Sequence, residues 1–304
     1  MSKKLFPPNS ESPLASPGWT AGASQGHLVK VWISIDMEGV SNIVDRDQLL
    51  RDGRGYERAR ESMMADLAAV LGALQSEPDV EATVINDSHD GMLNILPESM
   101  PGGVNLISGG TKLWSMNQGA DTADVAFFIG YHARAGTAGA IMDHTYSGAV
   151  ASVTLNGVEV GETGINAALC GHWNVPVGLI SGDDKVAAEA RALLPHVEAV
   201  MVKYGITRRS ARLLPRAEVD RRLAQGVHAA LENWRHGHVK PWRLSPPIRL
   251  TVSLMTPEMA DLAMRCPGAR RIDGRTVGFE EPDMEEGFRA FYTAMALSSD
   301  RPLY

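Results

Sequence analysis

The chain has 304 residues, of which 44% are apolar, and this length allows one large α/β domain or two smaller ones with a sizeable core. Its formal net charge of -7 and pI of about 5.7 argue against a nucleic-acid-binding protein, because such proteins usually carry a basic face. The two cysteines, Cys170 and Cys266, lie far apart and form no CxxC spacing, so we expect two buried thiols rather than a disulfide scaffold or a thiolate metal site.

The first 27 residues contain Lys3 and Lys4, followed by Pro, Ser and Gly without a sustained apolar stretch. This composition is not typical of a signal peptide, and it predicts a flexible N-terminal extension over residues 1–27. No apolar run reaches the roughly 18 residues of a membrane-spanning helix. We therefore expect a cytoplasmic protein without a membrane partner.

Alternating strands and helices are predicted over residues 28–240. Short apolar runs rich in Val, Ile or Phe predict four buried strands, at Val29–Asp36, Ala82–Asn86, Ala123–Gly130 and Val175–Ser181. The clearest helix is Tyr56–Gln75, which has one apolar stripe, and Thr163–His172 and Asp184–Leu194 show weaker helical patterns. This alternation predicts an α/β domain with three layers, a mostly parallel sheet with helices on both faces.

A β-hairpin is predicted by the segment SVTLNGVEVGE. Its Asn156-Gly157 pair suits a two-residue type I′ turn. The resulting register places Val153 opposite Val160 on one face. Continuing the alternation puts Glu162 on the same face, just past the strand, where a carboxylate calls for an explanation.

A smaller α+β unit, packed on the first domain, is predicted over residues 241–304. It opens with the Pro-rich joint Leu244–Arg249 and continues with a strand over Ile248–Leu254. Two helical segments, Pro257–Arg265 and Glu281–Leu297, follow that strand.

Polar residues follow the predicted strands, and parallel α/β sheets bind ligands at the carboxyl ends of their strands. These residues are Asp36 and Glu38 after the first strand, His89 after the second, His132 after the third and Glu162 after the hairpin. In an extended segment, Asp36 and Glu38 lie about 6.6 Å apart on one face. Three carboxylates and two imidazoles suit zinc or a similar divalent ion. They exceed what one catalytic zinc uses and suit two ions about 3.5–4 Å apart.

Each of these residues also has a plainer explanation when it is taken alone. Asp36 can cap a turn, His89 or His132 can be an ordinary hydrogen-bonded histidine, and Glu162 can begin a helix. Five ligand-type residues at four strand or hairpin ends are harder to explain as unrelated caps. His144, in IMDHTYSG, is either a proton-transfer residue near the site or a loop histidine with no role.

Seven motifs occur in an order that resembles the DppA family of zinc-dependent D-aminopeptidases. They are SIDMEG, YERAR, VINDSH, LISG, FFIGYHARAGT, GETGINA and VPVGLISGDD, and the resemblance runs from Val29 to the C-terminus. It implies a two-zinc peptidase that removes the N-terminal residue of short peptides, with a preference for D-amino acids. It also implies a homo-oligomer, with a ring as one form of the assembly. The implied metal ligands are Asp36, Glu38, His89, His132 and Glu162. The family's catalytic histidine matches His144, although its surroundings here, MDHTYS, differ from the serine-rich context of the family.

Four further polar residues are candidates for roles around the site. Asp87, Asn166 and Asp183 can accept or donate hydrogen bonds behind metal ligands, since metal-bound histidines usually donate their other N–H to a carboxylate or carbonyl. Lys203, after the apolar segment VEAVMV, can reach the site. A purely structural role is an equal alternative for each of these residues.

Two other functions stay open on the residues alone. Two-metal centres also serve phosphatases and other hydrolases, so the scissile bond can be another amide or an ester. A non-catalytic peptide-binding protein with a structural metal is the third reading, although structural zinc sites are usually closed and often contain cysteine. The preference for D-residues rests on the resemblance alone, and the side-chain preference and the choice among zinc, cobalt and manganese are open.

Overall fold

The structure of the protein is a computed structural model that describes residues 28–299. The extension predicted for residues 1–27 and the last residues of the smaller unit, 300–304, lie outside the described part of the chain.

Within residues 28–299 the chain forms thirteen strands and six α-helices. The strands are β1 (Val29–Ile35), β2 (Val80–Asp87), β3 (Val104–Ile107), β4 (Val125–Tyr131), β5 (Val150–Leu155), β6 (Val158–Val160), β7 (Val177–Gly182), β8 (Glu198–Met201), β9 (Lys203–Thr207), β10 (Ser210–Leu213), β11 (Ile248–Leu254), β12 (Arg270–Arg271) and β13 (Thr276–Glu281). The helices are α1 (Tyr56–Gln75), α2 (Glu162–His172), α3 (Asp184–Leu193), α4 (Arg216–Arg235), α5 (Pro257–Ala263) and α6 (Met284–Ser299).

The larger sheet has six strands in the order β3-β2-β1-β4-β7-β8, and every neighbouring pair is parallel. All four strands predicted in this region belong to it. From β1 the chain adds β2 and β3 on one side, and then β4, β7 and β8 on the other side. The place between β1 and β4, where the direction of strand addition changes, is the topological switch point. Sheets of this kind bind ligands there, outside the carboxyl ends of the strands.

Helices cover both faces of this sheet, as the three-layer prediction requires. On β1, Val31, Ile33 and Ile35 pack into one core together with α1 and α4. Trp32 points to the opposite face, where α2 and α3 contribute to a second core. The apolar stripe predicted for α1 is confirmed, since its members from Ala59 to Leu74 are buried in the first core.

The smaller sheet has five strands in the order β12-β13-β11-β5-β6, and its pairs are antiparallel. The predicted hairpin is confirmed: Asn156 and Gly157 have φ angles of 48° and 84°, and Val153 pairs with Val160. Because β5 of this hairpin pairs with β11, the smaller sheet combines strands from both sides of the boundary predicted at residue 240. Helix α2 lies between the two sheets, since its side chains contribute to the cores of both.

Several elements differ from the prediction. Helix α4 was not predicted, although it buries Val219, Leu223 and Val227 at helical spacing. The last helix begins at Met284 rather than Glu281, because Glu281 ends β13 and pairs with Ile248 of β11. Both cysteines are buried free thiols, as expected. No helix within residues 28–299 is long and apolar enough to cross a membrane.

Candidate metal centre

The centre begins where the loop after β1 passes very close to the end of β4. The backbone N–H of Gly39 donates to the Gly130 carbonyl at 2.7 Å. A Cβ atom on Gly39 would lie 1.8 Å from the carbonyl oxygen of Tyr131. Gly130 itself has a φ angle of +69°, and its Cβ would lie 2.3 Å from the carbonyl oxygen of Asp36. Glycine at both positions therefore lets the chain bring the residues after β1 against those after β4.

The structure brings together the five side chains predicted as metal ligands, and all five are buried. The separations are His89 Nδ1 to Asp36 Oδ1 at 3.3 Å, His89 Nδ1 to Glu38 Oε2 at 3.0 Å, His132 Nε2 to Asp36 Oδ2 at 3.5 Å and His132 Nε2 to Glu162 Oε1 at 3.2 Å. Asp36 is the central residue, because each of its two oxygens faces a different histidine. Two groups of possible metal ligands overlap at His132. One contains Asp36, Glu38 and His132, and the other contains His132, His144 and Glu162; within each group the ligand atoms all lie within 4.8 Å of one another.

His89, His132 and His144 each form a hydrogen bond from one ring nitrogen to a backbone carbonyl. These contacts are His89 Nε2 with the carbonyl oxygen of Leu49 at 3.3 Å, His132 Nδ1 with that of Ala133 at 3.0 Å, and His144 Nδ1 with that of Met142 at 2.9 Å. A carbonyl can only accept, so the nitrogen facing it carries a proton, and the other ring nitrogen, which lies near the carboxylates, is the atom that would bind a metal ion. Outer hydrogen bonds of this kind orient metal-ligating histidines.

The carboxylates of the centre strongly perturb one another and the neighbouring histidines. Burial and the neighbouring charge of Glu38 raise the pKa of Asp36 to about 8. Burial also opposes ionisation of Glu38, but the nearby His89 outweighs it and holds the pKa of Glu38 well below its usual value. The pKa of Glu162 is lowered in the same way, since His132 outweighs the desolvation. Adjacent buried carboxylates repel one another, and a divalent cation between them would relieve that repulsion.

His132 provides a direct test of whether a metal fits. Its Nε2 atom is buried and makes no well-directed hydrogen bond in the described part of the chain, although two carboxylate oxygens lie at 3.2 and 3.5 Å. A buried polar atom without a hydrogen bond is costly. Short separations without hydrogen-bond geometry are expected when several donors point at a common centre. The nitrogen and carboxylate donors are those that zinc prefers, so the residues present fit the metal.

His144 lies beside this set on the side of a cavity. Its ring stacks on that of His132 with the centroids 4.1 Å apart. Its Nε2 atom lies 3.6 Å from Glu162 Oε1 and 3.9 Å from Glu38 Oε1, and its side chain is 25% exposed. Burial among other groups and the neighbouring His132 lower its pKa below the usual histidine value. A neutral imidazole with a free Nε2 atom can accept a proton at that position near pH 7.

The centre opens on one side into a cavity of about 560 Å³. Asp36, Glu38 and His144 line its inner end. Its walls carry four methionines together with Leu49, Leu50, Tyr146 and Tyr292. This volume is typical of sites for small molecules. The open side distinguishes the centre from a closed structural metal site.

Asp87 and Asp183 hold loops rather than histidines. Asp87 accepts hydrogen bonds from the backbone N–H groups of Asn94, at 2.5 Å, and Ile95, at 2.9 Å, and so closes the loop that carries His89. Asp183 caps α3, and its Oδ2 atom accepts from the N–H of Ile141 at 2.8 Å. Within residues 28–299 neither accepts a hydrogen bond from an imidazole nitrogen, which corrects the suggestion that these carboxylates back the histidines directly.

Asn166 lies one helical turn after Glu162 on α2 and supports the centre through Tyr146. Its Oδ1 atom accepts from the Tyr146 hydroxyl at 2.5 Å, and its Nδ2 group donates to the Tyr131 hydroxyl at 2.9 Å. The backbone N–H of Tyr146 donates to Glu162 Oε1 at 2.6 Å. Tyr146 was not predicted, and it carries no sequence signal beyond its place two residues after His144.

Lys203 is fully buried behind the loop that carries Glu38. Its ammonium group donates to the backbone carbonyls of Glu38, Val40 and Ile43 at 2.6, 2.8 and 2.6 Å. Burial lowers its pKa to about 8. Lys203 therefore reaches the backbone of the site, and its contacts are those of a residue that fixes the loop.

A parallel α/β sheet with a buried histidine and carboxylate centre at its switch point defines a protein of the metallohydrolase class. Comparison with known proteins gives the particular family. The Peptidase M55 family, described as D-aminopeptidase, matches residues 29–293, and the chain belongs to this family. A curated D-aminopeptidase of Bacillus subtilis (strain 168) is 36% identical over 274 residues, covering 89% of this chain and 98% of the relative.

A solved structure shows the same fold. It is that of the Zn-dependent D-aminopeptidase DppA from Bacillus subtilis, described as a self-compartmentalizing protease. The TM-score is 0.87 at 33% identity, and the match covers 90% of this chain and 100% of the other. The family resemblance expected from the seven motifs is thus confirmed.

Proposed function

We propose that this protein is a zinc-dependent aminopeptidase that removes D-configured N-terminal residues from short peptides. The observation that carries the proposal is the arrangement of five buried metal-ligand side chains, four of which line the inner end of an open cavity. Membership of the D-aminopeptidase family and the zinc dependence of the solved relative support both the metal and the substrate class.

Asp36 would be shared between two ions, because its Oδ1 atom faces His89 and its Oδ2 atom faces His132. Glu38 and His89 would complete the donor set on one side, and His132 and Glu162 would complete it on the other. Bound divalent ions supply an acidified water and polarise a carbonyl oxygen.

His144 would move the proton of the reaction. Its Nδ1–H group is held by the Met142 carbonyl, so its Nε2 atom is an acceptor that faces the inner end of the cavity. After taking a proton from the attacking water, Nε2 becomes a donor. It can then stabilise the oxyanion or protonate the leaving amine.

The open cavity also separates this proposal from a non-catalytic protein with a structural metal. A structural zinc is enclosed by four protein ligands, whereas four of these five ligand side chains and the partly exposed His144 line a cavity large enough for a peptide. The methionines in its walls are flexible apolar side chains that can accommodate different substrate residues.

We further propose a homo-oligomer located in the cytoplasm. The self-compartmentalizing description of the solved relative supports an assembly that encloses its active sites. Size-exclusion chromatography with light scattering of the purified chain tests this, and a particle of the mass of a single chain at micromolar concentration would contradict it.

The deciding experiment measures metal per chain by elemental analysis after re-equilibration with zinc. We expect about two ions in the unaltered protein and fewer in a His89→Ala variant. A His196→Ala variant, which removes a histidine distant from the centre in the sequence and absent from the cavity wall, is the control and should retain the metal. Cleavage of D-aminoacyl but not L-aminoacyl peptides or phosphate esters would complete the assignment. If the unaltered protein retained no metal after re-equilibration with zinc, the proposed function would be refuted.

A further inference from the structure

Three arginines lie at the cavity, opposite in charge to its inner end. Arg46 belongs to the short helical turn Arg46–Gln48, and Arg208 and Arg209 form the tip of the β9–β10 hairpin. The inner end carries the carboxylates Asp36, Glu38 and Glu162, which the proposed metal ions would neutralise. Two separate loops thus supply positive charge to one cavity of a chain whose formal net charge is -7.

Two of these arginines have little to bind within the protein. The side chain of Arg46 makes no hydrogen bond or ion pair with any residue between 28 and 299. The nearest carboxylate to Arg209 is Asp45, whose Oδ2 atom is 4.0 Å from Nη1. Arg208, by contrast, donates from Nε to Asp143 Oδ1 at 2.8 Å. Arg46 and Arg209 therefore have guanidinium donors available to a ligand.

The hairpin tip is tied to the segment that carries His144. The backbone N–H of Met142 donates to the Arg208 carbonyl at 2.9 Å, and His144 follows two residues later. Arg208 and Arg209 are thus tied to the same segment as the proposed proton-transfer residue, whereas Arg46 lies on a separate loop. The metal-ligating carboxylates and the arginines line the same cavity, so one short peptide, about 7 Å long if it is an extended dipeptide, can contact both groups.

We propose that Arg46 and Arg209 bind the free C-terminal carboxylate of the substrate and so select very short peptides. The inference rests on the proposed peptidase function and names its substrate class. A planar guanidinium matches a carboxylate through two parallel N–H···O bonds, which an uncharged amide end cannot accept equally well. A longer peptide would place an internal, uncharged peptide group at the arginines.

The test compares D-alanyl-glycine with D-alanyl-glycinamide, using the zinc-loaded full chain. Because the arginines are solvent-exposed, we expect the free acid to have a kcat/KM about three- to tenfold higher than the amide. In an Arg46→Ala/Arg209→Ala double variant this preference should disappear, because kcat/KM should fall for the free acid and stay the same for the amide. Arg249→Ala, which removes an exposed arginine of the smaller sheet, is the matched control and should keep the preference.

Equal rates for acid and amide in the unaltered protein, or a preference that survives in the double variant, would overturn the inference. If neither peptide is cleaved, the proposed peptidase function has failed instead. In that case, isothermal titration calorimetry measures the affinities of uncleavable analogues of the same two peptides, in which the scissile amide is reduced to an amine. Tighter binding of the acid that depends on the two arginines supports carboxylate recognition, and equal affinity refutes it.

Discussion

Replacing Lys203 with methionine removes the buried ammonium group that fixes the loop after β1. Three backbone carbonyls, those of Glu38, Val40 and Ile43, accept its hydrogen bonds. Methionine has a similar length and is apolar, so it can fill the same space while leaving the carbonyls without their donor. The variant therefore tests how much this single cation contributes to the loop that carries Glu38.

The expected loss follows from two opposing contributions. Hydrogen bonds to a charged group contribute about 1.5–3 kcal/mol each, so three of them contribute about 4.5–9 kcal/mol. Burial outweighs the neighbouring carboxylates and lowers the pKa of Lys203 from 10.5 to about 8, so the charged form carries a net cost of roughly 3 kcal/mol that the variant no longer has. The difference is a loss of roughly 2–6 kcal/mol in the free energy of unfolding.

Urea unfolding at equilibrium, together with zinc content, measures both consequences. Lys240→Met is the control, because Lys240 is exposed, and it should change the unfolding free energy by less than about 0.5 kcal/mol. Lys203→Met should also retain less zinc, since Glu38 loses its backbone anchor. A loss of stability below about 1 kcal/mol would refute the reasoning, because it would mean that the three bonds barely exceed the cost of burying the charge.

Three further substitutions test the site and its surroundings. His144→Ala should lower turnover by about 10²–10⁴-fold without changing the zinc content, as steady-state kinetics and elemental analysis would show, whereas loss of metal would make His144 a ligand. Gly39→Ala places a Cβ atom 1.8 Å from the carbonyl oxygen of Tyr131, so we expect a loss of at least about 2 kcal/mol in urea unfolding and reduced zinc binding. Unchanged stability in that variant would contradict the close approach. Arg235→Gln removes the hydrogen bonds to Asp79 that hold the pKa of this carboxyl below 3.8. A lowered carboxyl pKa stabilises the fold above 3.8 and ceases to do so as the pH falls through the lowered value, so the loss of about 1 kcal/mol at pH 7 should shrink steadily below pH 3.8. An equal loss of unfolding free energy at pH 7 and at a pH well below 3.8 would contradict this linkage.

Elements with a strong local pattern were predictable from the sequence. The range Tyr56–Gln75 predicted from its apolar stripe is that of α1 in the structure, and the Asn156-Gly157 pair fixed the turn and the register of its hairpin. Helical periodicity and turn chemistry depend on neighbouring residues, so they survive in the sequence. The β13 strand was missed because its pairing with β11 joins segments more than 20 residues apart.

The sequence also indicated which side chains the centre would contain. Asp36 and His132 follow apolar strands, and the carboxyl ends of parallel strands meet at one edge, so residue type and position together were enough. The sequence did not indicate that Asp87 and Asp183 would hold loops while the histidines turn to backbone carbonyls. Nor did it distinguish Lys203, which is fully buried, from the exposed Arg209 at the cavity.

The sequence by itself therefore determined the kinds of donor and their common edge of the sheet. The tertiary structure decided which nitrogen of each histidine is available, which groups hold the loops and which charges line the cavity. The physical reason is that these features depend on contacts such as that of Lys203 with Glu38, which are 165 residues apart in the chain. Contacts of this kind arise from the packing of loops on the folded sheet and leave no periodic pattern in the sequence.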